Sequence, residues 1–298
     1  MRNSSRSAAG AAVAVAALLA VATVAPATAA PSAGEKDAPL RTIGLTKDDR
    51  IVTFKTTNAK KVKAVGKVTG LRDGDADVVG IDYRVQDNML YGVADKGGIY
   101  RIDAATAVAA KISQLTVALE GTSFGVDFNP AANALRVVSD TGQNLRHPFA
   151  TFTGAPFTAT TFKDGALTYP ATPTTPATVA TGVTGAAYTN NDLDMNTATT
   201  LFDIDTNLDQ VVVQSPANAG SLAATGKLRQ DSGTSAGFDI YSKVRRDRAV
   251  ELFAYATLSV GGTYRLYDVN LLSGEATLEG PFRPGKQVED LAIQLNQL

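Results

Sequence analysis

The chain has 298 residues, 28 of them basic and 29 acidic, with one histidine and neither cysteine nor tryptophan. The missing cysteines exclude disulfides, thiolate catalysis, cysteine–metal clusters and lipidation at cysteine. The near-neutral charge is not patchy along the sequence, which argues against a nucleic-acid or anionic-membrane partner.

Residues 1–29 read as a signal peptide. Arg2 and Arg6 give a positive start, AAGAAVAVAALLAVATVA (8–25) is an uninterrupted apolar run, and Ala27-Thr28-Ala29 offers small residues for cleavage after Ala29. The competing reading is a membrane anchor, since the run approaches spanning length. Alanine is only weakly apolar, however, and the cleavage site follows at once, so export is the reading kept. Cleavage removes two arginines and no acid, leaving 26 basic against 29 acidic residues. No second apolar run follows, so the mature chain is expected to be secreted and monomeric, with no membrane insertion. Residues 30–40 (APSAGEKDAPL) read as a flexible leader. Residues 41–298 are then a single domain rich in Thr, Val, Gly, Asp and Asn without long helical periodicity, which points to an all-β fold.

The rest of the chain is organised by a repeat. VGIDY (79–83) and FGVDF (124–128) share a Gly-apolar-Asp-aromatic pattern, and each leads through a turn to MLYGVA or ALRVVS, then DKGG or DTGQ, then IYRID or NLRHP. TGAAY (184–188) precedes TLFDID, and AGFDI (236–240) precedes VELFAYA and YRLYDVN. At the start, TIGLTKDDRIVTF (42–54) aligns without a gap on LYGVADKGGIYRI (90–102) but lacks its own Gly-x-Asp strand; VEDLAI (288–293) is such a strand with no copy after it. The markers at 82, 127, 187, 239 and 290 recur at intervals of 45, 60, 52 and 51 residues. That period suits propeller blades of four short strands. The predicted fold is a five-bladed β-propeller, closed when the C-terminal strand (288–294) completes the first blade (strands within 43–68) and so protects both terminal edges. A β-sandwich or two small β domains is the alternative, but neither needs the same opener every 50 residues or so.

The stretch SDTGQN (139–144) then reads as the hairpin turn between the second and third strands of a blade. Asp140 and Gly142 fall where Asp95 and Gly97 fall one blade earlier, as turn chemistry requires. The acids Asp82, Asp127, Asp239 and Asp290 recur in equivalent places, which favours an architectural role as acceptors of backbone N–H groups between blades. A carboxylate pair for glycoside hydrolysis is the sharper alternative. Two departures stand out: Asn144 replaces Ile51 and Ile99, and His147 replaces Phe54 and Ile102, polar groups that cost free energy where the repeat is apolar unless they are paired. The Thr-, Pro- and Ala-rich interval 153–182 reads as an outer strand followed by a long loop on the same rim as SDTGQN, where binding tends to reside. The candidate binding residues are Asp140, Thr141, Gln143, Asn144 and His147. No catalytic residue, metal ligand or cofactor is assigned. NNDLDMN (190–196) spaces Asp192, Asp194 and Asn196 like a calcium loop, but Thr197 stands where the loop needs glycine, so a plain turn is preferred.

GxDFNP with LRVVSDTGQNLR, GAAYTNN with TLFDIDTNLDQVVVQSPANAGSL, and the later AGFDI and YRLYDVN together resemble Domain of Unknown Function family 4394, a family of secreted bacterial proteins. The likeness covers roughly residues 41–295, and VVSDTGQNLR is its most specific piece. It implies a propeller-like repeat on an exported protein and brings no established activity, cofactor or catalytic residue. His147-Pro148 departs from the polar Asn-Pro type of continuation more usual in the family. The expected function is a non-enzymatic binding module for an extracellular glycan, wall component or protein. The alternative is an extracellular hydrolase or lyase acting on carbohydrate or ester.

Overall fold

The computed structural model describes residues 39–149, 155–193, 197–246 and 248–298. The signal peptide, most of the leader, and Asp194 and Asn196 of the calcium-like spacing lie outside the described residues. Short β-branched and aromatic runs separated by Asp-, Asn- and Gly-rich turns fold into β1 (Arg41–Thr46), β2 (Arg50–Lys55) and β3 (Asn58–Lys67), followed by β4 (Val78–Arg84), β5 (Met89–Ala94), β6 (Gly98–Ile102) and β7 (Ala109–Gln114). The third group is β8 (Phe124–Asn129), β9 (Ala134–Ser139), β10 (Asn144–Pro148) and a two-residue β11 (Phe162–Lys163). After a separate pair, β12 (Thr168–Tyr169) and β13 (Thr178–Val179), come β14 (Val183–Tyr188), β15 (Leu201–Asp205), β16 (Gln210–Gln214) and β17 (Leu222–Lys227). The chain ends with β18 (Ala236–Val244), β19 (Ala249–Val260), β20 (Thr263–Val269), β21 (Ala276–Pro281) and β22 (Val288–Ile293).

These strands form five four-stranded antiparallel sheets, each a consecutive meander except the first, whose order is β22-β1-β2-β3. In that sheet Thr42 pairs with Ile293, Ile43 with Ala292, Gly44 with Leu291 and Leu45 with Asp290. The inner strands pack in a cycle, β22 on β4, β4 on β8, β8 on β14, β14 on β18, and β18 back on β22. The protein is a five-bladed β-propeller sealed by its last strand. The long interval after the third blade holds more structure than a loop: β12 and β13 form a small hairpin whose Leu167 N–H donates to Gly142 O at 3.0 Å.

The core is divided by the same geometry. A strand in a face-to-face stack sends alternate side chains into the gaps on its two sides. Five apolar clusters result, one per gap. Ile43, Ile51, Ile81 and Tyr100 fill the first, Tyr91, Ile112, Phe128 and Leu145 the second, and Val138, Val183, Ala186 and Val212 the third. Phe202, Ile204, Phe238 and Tyr267 fill the fourth, and Val52, Tyr255, Leu266 and Ile293 the fifth.

The Gly-x-Asp opener has two separate causes. Its glycine lets neighbouring inner strands approach: a Cβ at Gly80 would sit 2.4 Å from Val126 Cγ2, and one at Gly237 would sit 2.5 Å from Asp290 Cα. Its aspartate ties each inner strand to the next. Asp82 Oδ2 accepts from Phe128 N (2.9 Å), Asp127 Oδ1 from Tyr188 N (3.1 Å), Asp239 Oδ2 from Ile293 N (2.5 Å) and Asp290 Oδ2 from Ile81 N (2.8 Å). Ala187 stands at the equivalent place in the fourth blade, and there the circuit is broken.

Candidate functional site

The hairpin between β9 and β10 sits on the rim where the connections between blades run, and its polar groups hold that rim together. Asp140 accepts from the backbone N–H of Thr122 (2.9 Å) and from its hydroxyl (2.6 Å). Thr141 donates its hydroxyl to Glu120 O (3.0 Å), while Gln143 accepts from Glu120 N (3.0 Å) and donates to Ala118 O (2.8 Å). Gly97 and Gly142, at the matching turn positions, have φ of 81° and 83°, the left-handed backbone that glycine adopts without strain.

Asn144 is buried and belongs to a network between the third and fourth blades. Its Oδ1 accepts from Arg136 Nη1 (2.7 Å), and its Nδ2 donates to Gly165 O (2.9 Å) and Ala217 O (3.1 Å). Arg136, 1% exposed, also donates to Tyr188 Oη, Asp164 Oδ2 and Asn218 Oδ1. The polar residue at an apolar repeat position is thus paired with a buried cation. The sequence shows this one strand earlier in the same blade, where Arg136 lies between apolar neighbours.

His147 is fully buried, with Nε2 3.1 Å from Ser113 Oγ and Nδ1 3.0 Å from Thr161 Oγ1. The flanking bonds fix its tautomer. Ser113 donates its proton to Phe157 O (3.0 Å), so its oxygen accepts from the imidazole, and Nε2 carries hydrogen. A neutral imidazole with hydrogen on Nε2 has a bare Nδ1, so Thr161, whose Oγ1 accepts from Thr116 N (2.8 Å), donates its hydroxyl hydrogen to it. A serine nucleophile needs the opposite arrangement, a bare nitrogen facing its hydroxyl. Burial lowers the imidazole pKa to about 4, holding it neutral. Asp140, Thr141 and Gln143 are therefore brought together on the rim, Asn144 lies beneath them, and His147 lies on the other side of its blade's packing, against Phe149 and Phe157.

The same rim opens, at the propeller axis, onto a cavity of about 160 Å³ that is continuous with solvent. The beginnings of the inner strands and the first hairpin line it. Asp49, Asp77, Glu289 and Asp290 bring carboxyls, Lys47 an ammonium, Thr122, Ser123 and Ser235 hydroxyls, and Phe124 an aromatic face. Asp140 holds Thr122 in this wall, so the hairpin and the cavity are linked by a direct bond. Burial, then the neighbouring Asp77 carboxyl, raises Asp49 to about 6, and burial raises Asp290 to about 8. Sequence reasoning missed Lys47, Asp49 and Asp77, which sit in turns and connections, and Glu289 on the closing strand β22, because only the closed ring gathers them.

At the opposite mouth of the axis lies a small cavity of about 20 Å³. Its lining comes from the far ends of the inner strands and includes Asp82, Asp127, Asp239, Tyr188 and Asn190. One carboxylate oxygen from each of the three aspartates falls within 4.8 Å of the others. All three are pushed up by burial; nearby Asp239 and then Asp290 raise Asp82 further, Asp82, Asp239 and Asp290 raise Asp127 further, and Asp239 reaches about 7.

Comparison with known proteins gives a family. The model of the family described as "Domain of unknown function (DUF4394)" matches residues 50–292. None of the curated proteins matches the chain. Among solved structures, the chain is similar to an auxiliary nutrient binding protein from Bacteroides thetaiotaomicron VPI-5482, at 16% identity and a TM-score of 0.38, covering 73% of this chain and 56% of that one. It is also similar to the major Malassezia sympodialis allergen Mala s 1, at 13% identity and a TM-score of 0.40, covering 66% and 57%. The chain thus spans little more than half of either structure, and likeness at this level carries no functional inference.

Proposed function

The chain belongs to the DUF4394 family, and on that premise we propose that it is an exported, non-enzymatic binding module whose ligand sits in the axial cavity on the rim of the 139–144 hairpin. The observation that carries this reading is the cavity itself. It is open to solvent and presents several polar groups beside one aromatic face on a rigid closed scaffold. Four carboxyls against one lysine disfavour an anionic ligand and favour a neutral or cationic one rich in hydroxyls, such as a short neutral glycan. The hairpin residues act as supports, Asp140 through Thr122 and Asn144 through Arg136. Export rests on the signal pattern of residues 1–29.

A second reading, an extracellular hydrolase, is favoured by one observation: Asp49 and Asp77 are neighbours in the cavity wall, and their interaction helps raise Asp49 to about 6, in reach of acid–base work near neutral pH. A glycan array and a broad glycosidase and esterase screen on the wild-type chain, Asp77→Ala, Ser235→Ala and Asp49→Asn separate the two. Binding lost in Asp77→Ala or Ser235→Ala without turnover supports the binding module. Turnover abolished by Asp49→Asn supports the hydrolase.

A further inference from the structure

The aspartates of the inner strands do more than accept backbone N–H groups. Asp82, Asp127 and Asp239 come from the second, third and fifth blades, yet they place carboxylate oxygens within 4.8 Å of one another at the axis. A carboxylate has about four lone-pair sites, so a bond or two from the backbone leaves further oxygen valence directed elsewhere. Among the described residues, no lysine or arginine lines this cavity. Three buried carboxyls without a counter-cation are costly to ionise together.

A second observation points the same way. Asn190, 3% exposed, lines the same cavity, and its Nδ2 has no hydrogen-bond partner. Its Oδ1 is engaged by Asp192 N at 3.1 Å, so the free end is the donor. A buried amide N–H calls for an acceptor. A water carried by a metal ion is such an acceptor, and its own hydrogens can face the carboxylates.

We infer that the propeller axis holds a calcium-sized divalent cation, ligated by Asp82, Asp127 and Asp239 and contacted through a bound water by Asn190. Calcium takes six to eight oxygens at about 2.3–2.6 Å, so two of its ligands lie up to about 5 Å apart, in keeping with the observed spread; the remaining positions go to water. The ion would tie three blades at the centre of the ring. The inference is independent of the ligand reading above, since this mouth and the larger cavity lie at opposite ends of the axis.

The test uses the purified chain stripped with EDTA, at pH 8 and 0.15 M salt. CaCl2 is titrated calorimetrically, and Tb³⁺ is followed by luminescence excited through tyrosine; Tyr83, Tyr188 and Tyr241 line the cavity and no tryptophan competes. The expected result is one Ca²⁺ per chain, bound more tightly than Mg²⁺, with a rise in Tm that EDTA reverses. Asp127→Asn, which keeps an acceptor for Tyr188 N, weakens binding at least tenfold. Asp203→Asn, a buried carboxyl outside the cluster, leaves it unchanged. Asn190→Gly, which suits the φ of 80° at that position, weakens binding severalfold and decides the matter should Asp127→Asn fail to fold. No Ca²⁺ heat or Tb³⁺ luminescence up to millimolar metal overturns the inference. So does tighter binding of Mg²⁺, or wild-type affinity in either Asp127→Asn or Asn190→Gly.

Discussion

Asp290, on the last strand, accepts a hydrogen bond from the backbone N–H of Ile81, 209 residues earlier, at 2.8 Å. The bond joins the blade that closes the ring to the one after it, and it is one of four such ties around the axis. Removing the acceptor leaves a buried N–H without a partner, a loss of about 1–3 kcal/mol. Asp290→Ala is therefore expected to lower the urea midpoint clearly, and Asp290→Asn, which keeps a carbonyl oxygen, to lower it less. Equal loss in both variants would show that the effect does not come from the backbone tie.

Asn144 provides a test of the network beneath the hairpin. The repeat places isoleucine at this position in other blades, so Asn144→Leu is sterically plausible and chemically poor. It removes an acceptor from Arg136 and a donor from Gly165 O and Ala217 O, and should cost about 1–3 kcal/mol in equilibrium unfolding. A stabilised variant would mean that the network is dispensable.

His147 and Asp290 impose opposite pH dependences. The folded His147 holds its proton less tightly than the unfolded chain does, so its contribution to stability rises with pH between about 4 and 6.5 and is lost below that window. Asp290 holds its proton more tightly when folded, so its contribution is complete below about pH 4 and disappears as pH rises through about 8. Because the chain has one histidine, its imidazole C–H resonance reports the first effect directly. It should not titrate before about pH 4; a midpoint near 6.5 contradicts the burial.

Asp203 is fully buried on β15, and neither of its carboxylate oxygens has a hydrogen-bond partner. Burial raises its pKa well above the ordinary range, opposed only in part by Arg136. The sign is that of Asp290: the residue favours the folded state when protonated and disfavours it as pH rises. Asp203→Asn mimics the neutral acid, so it should be close to neutral near pH 4 and stabilising above neutral pH, by urea denaturation at the two pH values. Destabilisation at both would show that the carboxylate has a partner.

The ring was legible because its cause is local and repeated. Gly80, Gly125, Gly185 and Gly237 mark where inner strands touch, and VEDLAI without a following blade marks where closure must come. The turn chemistry of Asp140 and Gly142 was legible for the same reason. Asn144 and His147 announced themselves as polar residues in apolar places, but their partners Arg136 and Ser113 lie on other strands and Thr161 just before β11, and no spacing reveals them. The meeting of Asp82, Asp127 and Asp239 was hidden likewise. Sequence shows that they are equivalent, whereas only the geometry around the axis shows that their oxygens converge while Asp290 faces the other mouth.

Closure of the ring by β22 is the claim on which both mouths of the axis depend, and the absence of cysteine makes it directly measurable. Gln294 N–H donates to Arg41 O at 3.0 Å, one residue beyond the Thr42–Ile293 pair. Facing residues at such a position lie within disulfide reach. The variant Arg41→Cys with Gln294→Cys, mildly oxidised at low protein concentration, should form an intramolecular disulfide in nearly every chain, read by mass spectrometry as the loss of two hydrogens in a monomer. Persistence of two free thiols, or capture of a second chain instead, would contradict the closed propeller.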